Sequence, residues 1–198
     1  MVHAFVIHTL CPGNSGSGSV CRVLYSKVFS IETLEATSEN REVTRLKQKE
    51  QIAAVARQVT SACSLSRQAA GKSILDLSQT TLDESSALLD ADYGVFRLFA
   101  GEPFQQEKVV LWLGVISIGF TMVCEPHDNL LLAENVLRTL ASHCLEHLRL
   151  LGPGTDILLK ADRTEAILNR FLPHGQLLFT NHRFMQALEK DLGAYMAK

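Results

Sequence analysis

The chain has 198 residues, with 19 Lys and Arg against 21 Asp and Glu, and a formal net charge of −2. Charged residues make up 20% and hydrophobic residues 46% of the chain, and its mean hydropathy is +0.10. This composition excludes a disordered chain, because burial can offset the ordering entropy, and it excludes a nucleic-acid binder with a concentrated basic face. The length predicts one domain.

Two strands are predicted at the start of the chain. Residues 2–10 are apolar except for His3, His8 and Thr9, which is typical of a central strand covered on both faces. Residues 21–29 predict a second strand, antiparallel to the first across a Gly- and Ser-rich connector at 12–19. The polar stretch 30–42 that follows is predicted to be a loop insertion.

A helix is predicted over residues 42–66, where apolar residues recur at spacings of three and four. The next stretch, 71–92, is rich in Ser, Thr and Asp and is predicted to be a second loop insertion. Residues 93–100 predict a third strand.

Residues 109–124 form a run of 16 residues without a charge. The run is shorter than the ~20 apolar residues that cross a bilayer, and its β-branched residues favour strands. We predict two buried strands that break near Gly114 or Ser117. Trp112, the single tryptophan, is predicted to lie in the core.

The rest of the chain predicts three helices. The first starts with Asp128 as its N-cap and runs to about Leu151, before Gly and Pro residues at 152–154. The second opens on a capping box at 162–165 and closes at Pro173. The last begins near Asn181. Clustered strands followed by helices predict an α+β fold around an antiparallel sheet.

One string has the pattern of a metal site. His143, Glu146 and His147 match the H-x-x-E-H pattern of inverted zinc peptidases, in which two histidines bind zinc and the glutamate activates water. A third ligand would have to be Glu165 or Glu189. Half-exposed helix residues explain the string equally well, so a zinc hydrolase remains an alternative only.

Other catalytic and cofactor patterns are incomplete. Gly71-Lys72-Ser73 lacks the first glycine of a phosphate-binding loop, and the glycines at 13–18 lead into a strand rather than a helix. The five cysteines are scattered without a C-x-x-C pair, which indicates reduced thiols. The sequence therefore predicts no enzyme, no catalytic or metal residue and no cofactor.

The region 108–177 carries a family resemblance. Its marks are the strand ending in Ile118-Gly119-Phe120, the Asp128-Asn129 helix start, Glu134, and the turn Leu172-Pro173-His174-Gly175-Gln176-Leu177. This pattern resembles the small (sigma) chains of adaptor-protein coat complexes, although Gln176 replaces the family's usual acid. The strings at 1–10, 21–26 and 170–179 are most similar to the branch of the family found in the fifth adaptor complex.

The resemblance implies a longin-like fold, a five-stranded antiparallel sheet flanked by α-helices. It implies a single domain over 1–198, with insertions near 30–42 and 71–92 and an extra C-terminal helix near 181–197. It also implies a non-catalytic subunit of a cytoplasmic heterotetramer with large zeta and beta chains and a medium mu chain. Such a complex acts on late endosomes and lysosomes with spatacsin and spastizin, contacts the membrane only peripherally and binds no nucleic acid.

The resemblance further implies a surface for cargo signals. Related small chains help to bind acidic dileucine signals in an apolar pocket, whose positions correspond here to Ile118, Ala141, Leu151 and Ile157. A polar position beside that pocket corresponds to Leu150. Besides this reading and the zinc hydrolase, another longin-type trafficking module, such as a tethering subunit or a small-GTPase regulator, remains an alternative.

Overall fold

The chain folds around one antiparallel sheet with helices on both faces. The computed structural model describes residues 1–10, 21–30, 40–72, 84–150, 160–179 and 181–197. The sheet has the strand order β2-β1-β5-β4-β3. Its strands are β1 (Ala4–Thr9), β2 (Val23–Val28), β3 (Asp92–Leu98), β4 (Lys108–Val115) and β5 (Ile118–Cys124). The predicted α+β class and the five-stranded, longin-like sheet are confirmed.

Five helices and a short 3-10 turn complete the described part of the chain. They are α1 (Asn40–Ala69), α2 (Glu84–Leu89), α3 (Leu130–Leu148), α4 (Ala161–Phe171), the 3-10 turn Pro173–Gly175 and α5 (His182–Met196). Helix α1 packs on one face of the sheet, here called the α1 face. Helix α3 packs on β4 and β5 on the opposite face, the α3 face, and contacts α4, which in turn contacts α5.

The uncharged run forms β4 and β5, as predicted, and every residue of both strands is buried. Because side chains alternate across a strand, Leu111 and Leu113 join the core cluster of the α3 face while Val110 and Trp112 join that of the α1 face. A strand covered on both faces needs apolar residues at every position. Trp112 is a core residue, as predicted.

The two strands break at Ile116 and Ser117, closer to the second of the two predicted positions. Val115 pairs with Ile118, which leaves a two-residue turn between the strands. Ile116 has a φ of 51°, in the left-handed region that two-residue hairpin turns require. Strand β1 lies between β2 and β5, antiparallel to both, so its prediction as a central strand is confirmed.

The start and end of α3 differ from the prediction. Asn129, not Asp128, is the N-cap, and its side chain accepts a hydrogen bond from the backbone N–H of Leu132 at 3.1 Å. Asp128 accepts from the backbone N–H of Glu125 instead, at 2.9 Å, and pairs with the Met1 ammonium group. The helix ends at Leu148 because Arg149 turns left-handed, with a φ of 51°. The predicted terminator at 152–154 lies outside the described residues.

The predicted capping box at 162–165 does not form. Helix α4 begins after Lys160, which makes no side-chain cap. The Glu165 carboxylate accepts hydrogen bonds from Tyr25 and Lys27 of β2 instead. These partners lie far away in the sequence, and the local pattern could not reveal them. Glu165 therefore binds side chains of β2 and does not cap the helix.

The structure describes only parts of the two predicted insertions. Helix α1 already begins at Asn40, and residues 31–39 lie outside the described part. Within 71–92, helix α2 packs against α3 with Ala87 buried. Asp92 opens β3 and pairs with Arg67 at 2.6 Å and Lys72 at 2.8 Å. Residues 73–83 and the connector at 12–19 are outside the described residues.

The C-terminal helix α5 lies where the sequence predicts it. Asn181 is its N-cap and accepts from the backbone N–H of Phe184 at 2.8 Å. Leu192 is its buried residue, and Arg170 of α4 pairs with Asp191 at 2.8 Å. Among the described residues, no helix combines the length and the apolar character that are needed to cross a bilayer.

Candidate functional site

Two of the four predicted pocket residues are described, and both are buried in the α3-face core. Ile118 opens β5 and is 4% exposed, and Ala141 lies on the inner side of α3 and is 0% exposed. Since α3 packs directly on β5, these side chains belong to the helix-on-sheet interface. A leucine side chain from a peptide would have to displace neighbours to reach them.

The other two predicted pocket residues, Leu151 and Ile157, lie outside the described residues. Leu150, which corresponds to a polar position of the family's pocket, is buried and belongs to the same core cluster as Ala141. Because Leu150 has no side-chain donor or acceptor, it cannot supply the hydrogen bonds of that position. The apolar pocket stays a prediction.

A groove that the sequence did not predict runs along the outer side of α3. Its volume is about 410 Å³, and it lies between α3, the end of α4, the segment after the 3-10 turn, and α5. Its apolar lining comes from these elements: Leu131, Leu132, Val136, Phe171, Leu178, Phe179 and Met185. Asn129, Asn135 and Thr139 supply polar groups at the same groove.

Two large side chains of this groove face solvent. Leu131 is 77% exposed and Phe179 is 89% exposed, so both contribute apolar surface that this chain alone leaves uncovered. The available sequence signal was the triplet Leu130-Leu131-Leu132, since a helix with one buried line cannot bury three consecutive leucines. A contiguous exposed apolar patch often marks a site where a partner binds, whereas a single exposed leucine is normal on a protein surface.

A second, larger groove of about 900 Å³ lies beside α1. It is lined mainly by polar side chains of α1, such as Lys47, Gln51 and Arg57, together with the 101–105 segment. At its base, His3 is hydrogen-bonded to Ser30 at 2.8 Å and packs edge-on against Phe104. Its lining therefore mixes charged, polar and apolar groups.

The H-x-x-E-H residues do converge on one side of α3. One ligand atom each from His143, Glu146 and His147 lies within 4.8 Å of the other two. The predicted third zinc ligand Glu165 is held by Tyr25 and Lys27. Glu189 of α5 raises the pKa of His143 electrostatically, against the larger lowering effect of burial. The string therefore forms a cluster of three possible ligand atoms on one side of α3.

The thiols are protected rather than activated. Cys21, Cys63, Cys124 and Cys144 are free cysteines. Burial raises the pKa of Cys63 to about 11 and the pKa of both Cys124 and Cys144 to about 12. Since the thiolate is the nucleophilic form, these three buried cysteines are poor nucleophiles at neutral pH.

Comparison with known proteins covers nearly the whole chain. Residues 1–193 match the family model described as AP-5 complex subunit sigma-1. A human protein described as AP-5 complex subunit sigma-1 is 53% identical over 196 residues, or 98% of each chain. A mouse protein with the same description is 52% identical over 156 residues, which are 78% of this chain and 92% of the relative.

Proposed function

Because the chain belongs to the AP-5 complex subunit sigma-1 family, we propose that it sorts cargo at late endosomes and lysosomes as the small subunit of an adaptor complex. The observation that carries this proposal is the family match over residues 1–193. The relatives are named as adaptor-complex subunits, which are non-catalytic. The zinc hydrolase is therefore not favoured.

The proposed partners are the large zeta and beta chains and the medium mu chain of one heterotetramer. Spatacsin and spastizin are proposed to act with this complex, which would be cytoplasmic and would contact the membrane peripherally. The support is indirect: Leu131, Phe179 and Phe99 are each more than 70% exposed, and obligate interfaces bury such groups over about 2,000 Å² or more.

Co-expression with the zeta chain tests this assembly. The tag belongs at the C-terminus, because the backbone N–H of Val2 donates to the carbonyl of Gly175 inside the fold. We expect the chain alone to aggregate and the zeta chain to keep it in solution. The large chain of another adaptor complex is the matched control and should not do so.

Pull-down of the tagged chain from cells should recover the zeta, beta and mu chains together, and imaging should place the chain on late endosomes. A well-behaved monomer that binds no zeta chain would contradict the proposal. Recovery of a tethering complex or of a small GTPase in place of these chains would instead support the other longin-type alternative.

Within this complex, the residues Ile118, Ala141, Leu151 and Ile157 are proposed to form the pocket for a dileucine signal. Ile118 and Ala141 lie where α3 packs on β5, so a signal would enter by separating the helix from this central strand of the sheet. Because both residues are buried, this proposed pocket is less accessible than the apolar groove on the outer side of α3.

A further inference from the structure

The last two turns of α3 place three metal-binding side chains side by side. Residues separated by three and four positions share one face of a helix, and His143, Glu146 and His147 have this spacing. His143 Nδ1 lies 3.9 Å from Glu146 Oε2. The two imidazole rings are nearly parallel, with 11° between their planes and 6.0 Å between their centroids.

An unsatisfied nitrogen is the second observation at this cluster. His143 is only 9% exposed, and its Nδ1 is buried without a hydrogen-bond partner. Leaving a buried polar atom unpaired costs free energy, and a ligand at Nδ1 would recover it. Phe171 stacks on the His143 ring with 4.5 Å between centroids. This stacking fixes the plane of the imidazole ring, in which Nδ1 lies.

The charge around His143 also favours a cation ligand. Burial, followed by the neighbouring His147, lowers the pKa of His143, while Glu146 and Glu189 act in the opposite direction. Glu189 adds negative charge from α5, so carboxylates of two helices surround the histidines.

We propose that His143, Glu146 and His147 form a non-catalytic zinc site at the end of α3. Zinc prefers imidazole nitrogen at about 2.0–2.1 Å and carboxylate oxygen at about 2.0–2.2 Å in a tetrahedral arrangement. The three ligand atoms lie within 4.8 Å of one another. The exposed Glu146 and the half-buried His147 would move towards the buried His143 to hold the ion, and water would complete the tetrahedron. The site is independent of the proposed trafficking function, because it rests on the side chains at the end of α3 and on their contacts with α4 and α5.

Calorimetric titration with ZnCl₂ tests the site on the full chain, purified alone or with the zeta chain, in a reducing, non-chelating buffer at pH 7.5. We expect one zinc ion per chain. Glu146→Gln and His147→Ala should each weaken binding by at least about 10-fold, since even ligand-supporting groups are worth 10–100-fold. Glu146 is 66% exposed, so Glu146→Gln should leave the far-UV circular dichroism unchanged.

His127→Ala is the matched control, because His127 is exposed and precedes α3 outside the cluster. It should bind zinc as the unmodified chain does. Zinc should also raise the melting temperature of the unmodified chain and of His127→Ala, but not of His147→Ala. Equal zinc affinity in the unmodified chain, Glu146→Gln and His147→Ala would overturn the proposal, since the thiols would then be the zinc ligands. Absence of zinc binding would overturn it as well.

Discussion

The indole of Trp112 lies against the backbone of Gly94, its cross-strand partner between β4 and β3. A Cβ atom at position 94 would stand 2.4 Å from Cζ2 and 2.7 Å from Nε1 of the indole. Trp112 is only 4% exposed. The glycine is therefore required by the close approach of a large side chain, which lets the α1-face core extend to the edge strand β3.

Gly94→Ala should destabilise the protein, because the indole cannot keep its position. Overpacking of a close-packed core costs typically about 1–3 kcal/mol. Urea unfolding followed by the fluorescence of Trp112 measures this change and reports the displaced indole directly.

Gly193→Ala is the control with the opposite expected sign. Gly193 lies inside α5, and a Cβ there would meet nothing within 4 Å. Alanine is favoured over glycine in a helix by about 1 kcal/mol, so this variant should be slightly more stable. If both alanine variants change the stability alike, the account of Trp112 and Gly94 is wrong.

Acid should destabilise the protein through His8. This residue is 0% exposed, its Nε2 lies 3.1 Å from Thr121 Oγ1, and its Nδ1 lies 3.2 Å from the Thr9 carbonyl. Burial lowers the pKa of His8 from 6.5 to about 4, against a smaller raising effect of the Thr9 hydrogen bond. Between these values the unfolded chain binds the proton and the folded chain does not. Stability therefore falls from pH 6.5 towards pH 4, by up to about 3 kcal/mol.

The free energy of unfolding of His8→Gln, measured in urea between pH 4 and 7.5, should depend less on pH than that of the unmodified chain. His143 also has a lowered pKa, so the difference between the two proteins isolates His8. His127→Gln, at an exposed histidine, should keep the original pH dependence. A His8→Gln curve parallel to that of the unmodified chain would refute this assignment.

Glu165→Gln should weaken the contact between β2 and α4. The Glu165 carboxylate accepts from Tyr25 Oη at 2.7 Å and from the Lys27 ammonium. Burial raises the pKa of Glu165, but the hydrogen bonds from Lys27 and Tyr25 outweigh it and lower the pKa. Since the carboxylate is 44% exposed, the expected loss at pH 7 is only about 1 kcal/mol.

The loss should shrink as the pH falls through the folded-state pKa of Glu165, because a protonated carboxyl no longer attracts Lys27. Glu107→Gln is the control: Glu107 pairs with Arg97 at 3.4 Å on the surface, where Arg97 is 66% exposed. Urea unfolding at pH 7 should show almost no change for this variant. Equal losses of stability in Glu165→Gln and Glu107→Gln would mean that the contacts of Glu165 with Tyr25 and Lys27 do not stabilise the fold.

Ala141→Val should weaken binding of an acidic dileucine peptide to the assembled complex by at least about 10-fold, which is about 1.4 kcal/mol. The added methyl groups would fill the space that a peptide leucine needs beside Ile118. Fluorescence anisotropy of a labelled peptide measures the affinity.

Ala133→Val is the matched control, because Ala133 is equally buried on α3 and lies two turns earlier in the same core. Both variants should lose similar stability from overpacking, and Ala133→Val should keep the peptide affinity. If the two variants bind the peptide alike, Ala141 does not line the pocket.

Local sequence patterns predicted the order of the strands and the long helices and the coverage of the sheet, but not helix α2. The uncharged run at 109–124 and the apolar run at 2–10 required strands buried on both faces, because no exposed face tolerates so many consecutive apolar residues. The spacing of three and four predicted the helices, and local chemistry correctly predicted Asn181 as the start of α5. Each of these signals lies within a few residues of the element that it predicts.

The partner that each polar group takes depends on contacts that are visible only in the folded chain. Asp128 and Glu165 both carry the sequence pattern of a helix cap, yet Asp128 binds the Glu125 backbone and the Met1 ammonium, and Glu165 binds Tyr25, 140 positions away. Likewise, the burial of His143 follows from its stacking on Phe171. Folding brings together residues that are distant in the sequence, and these neighbours determine which donor or acceptor a polar side chain binds. Local periodicity carries no information about them.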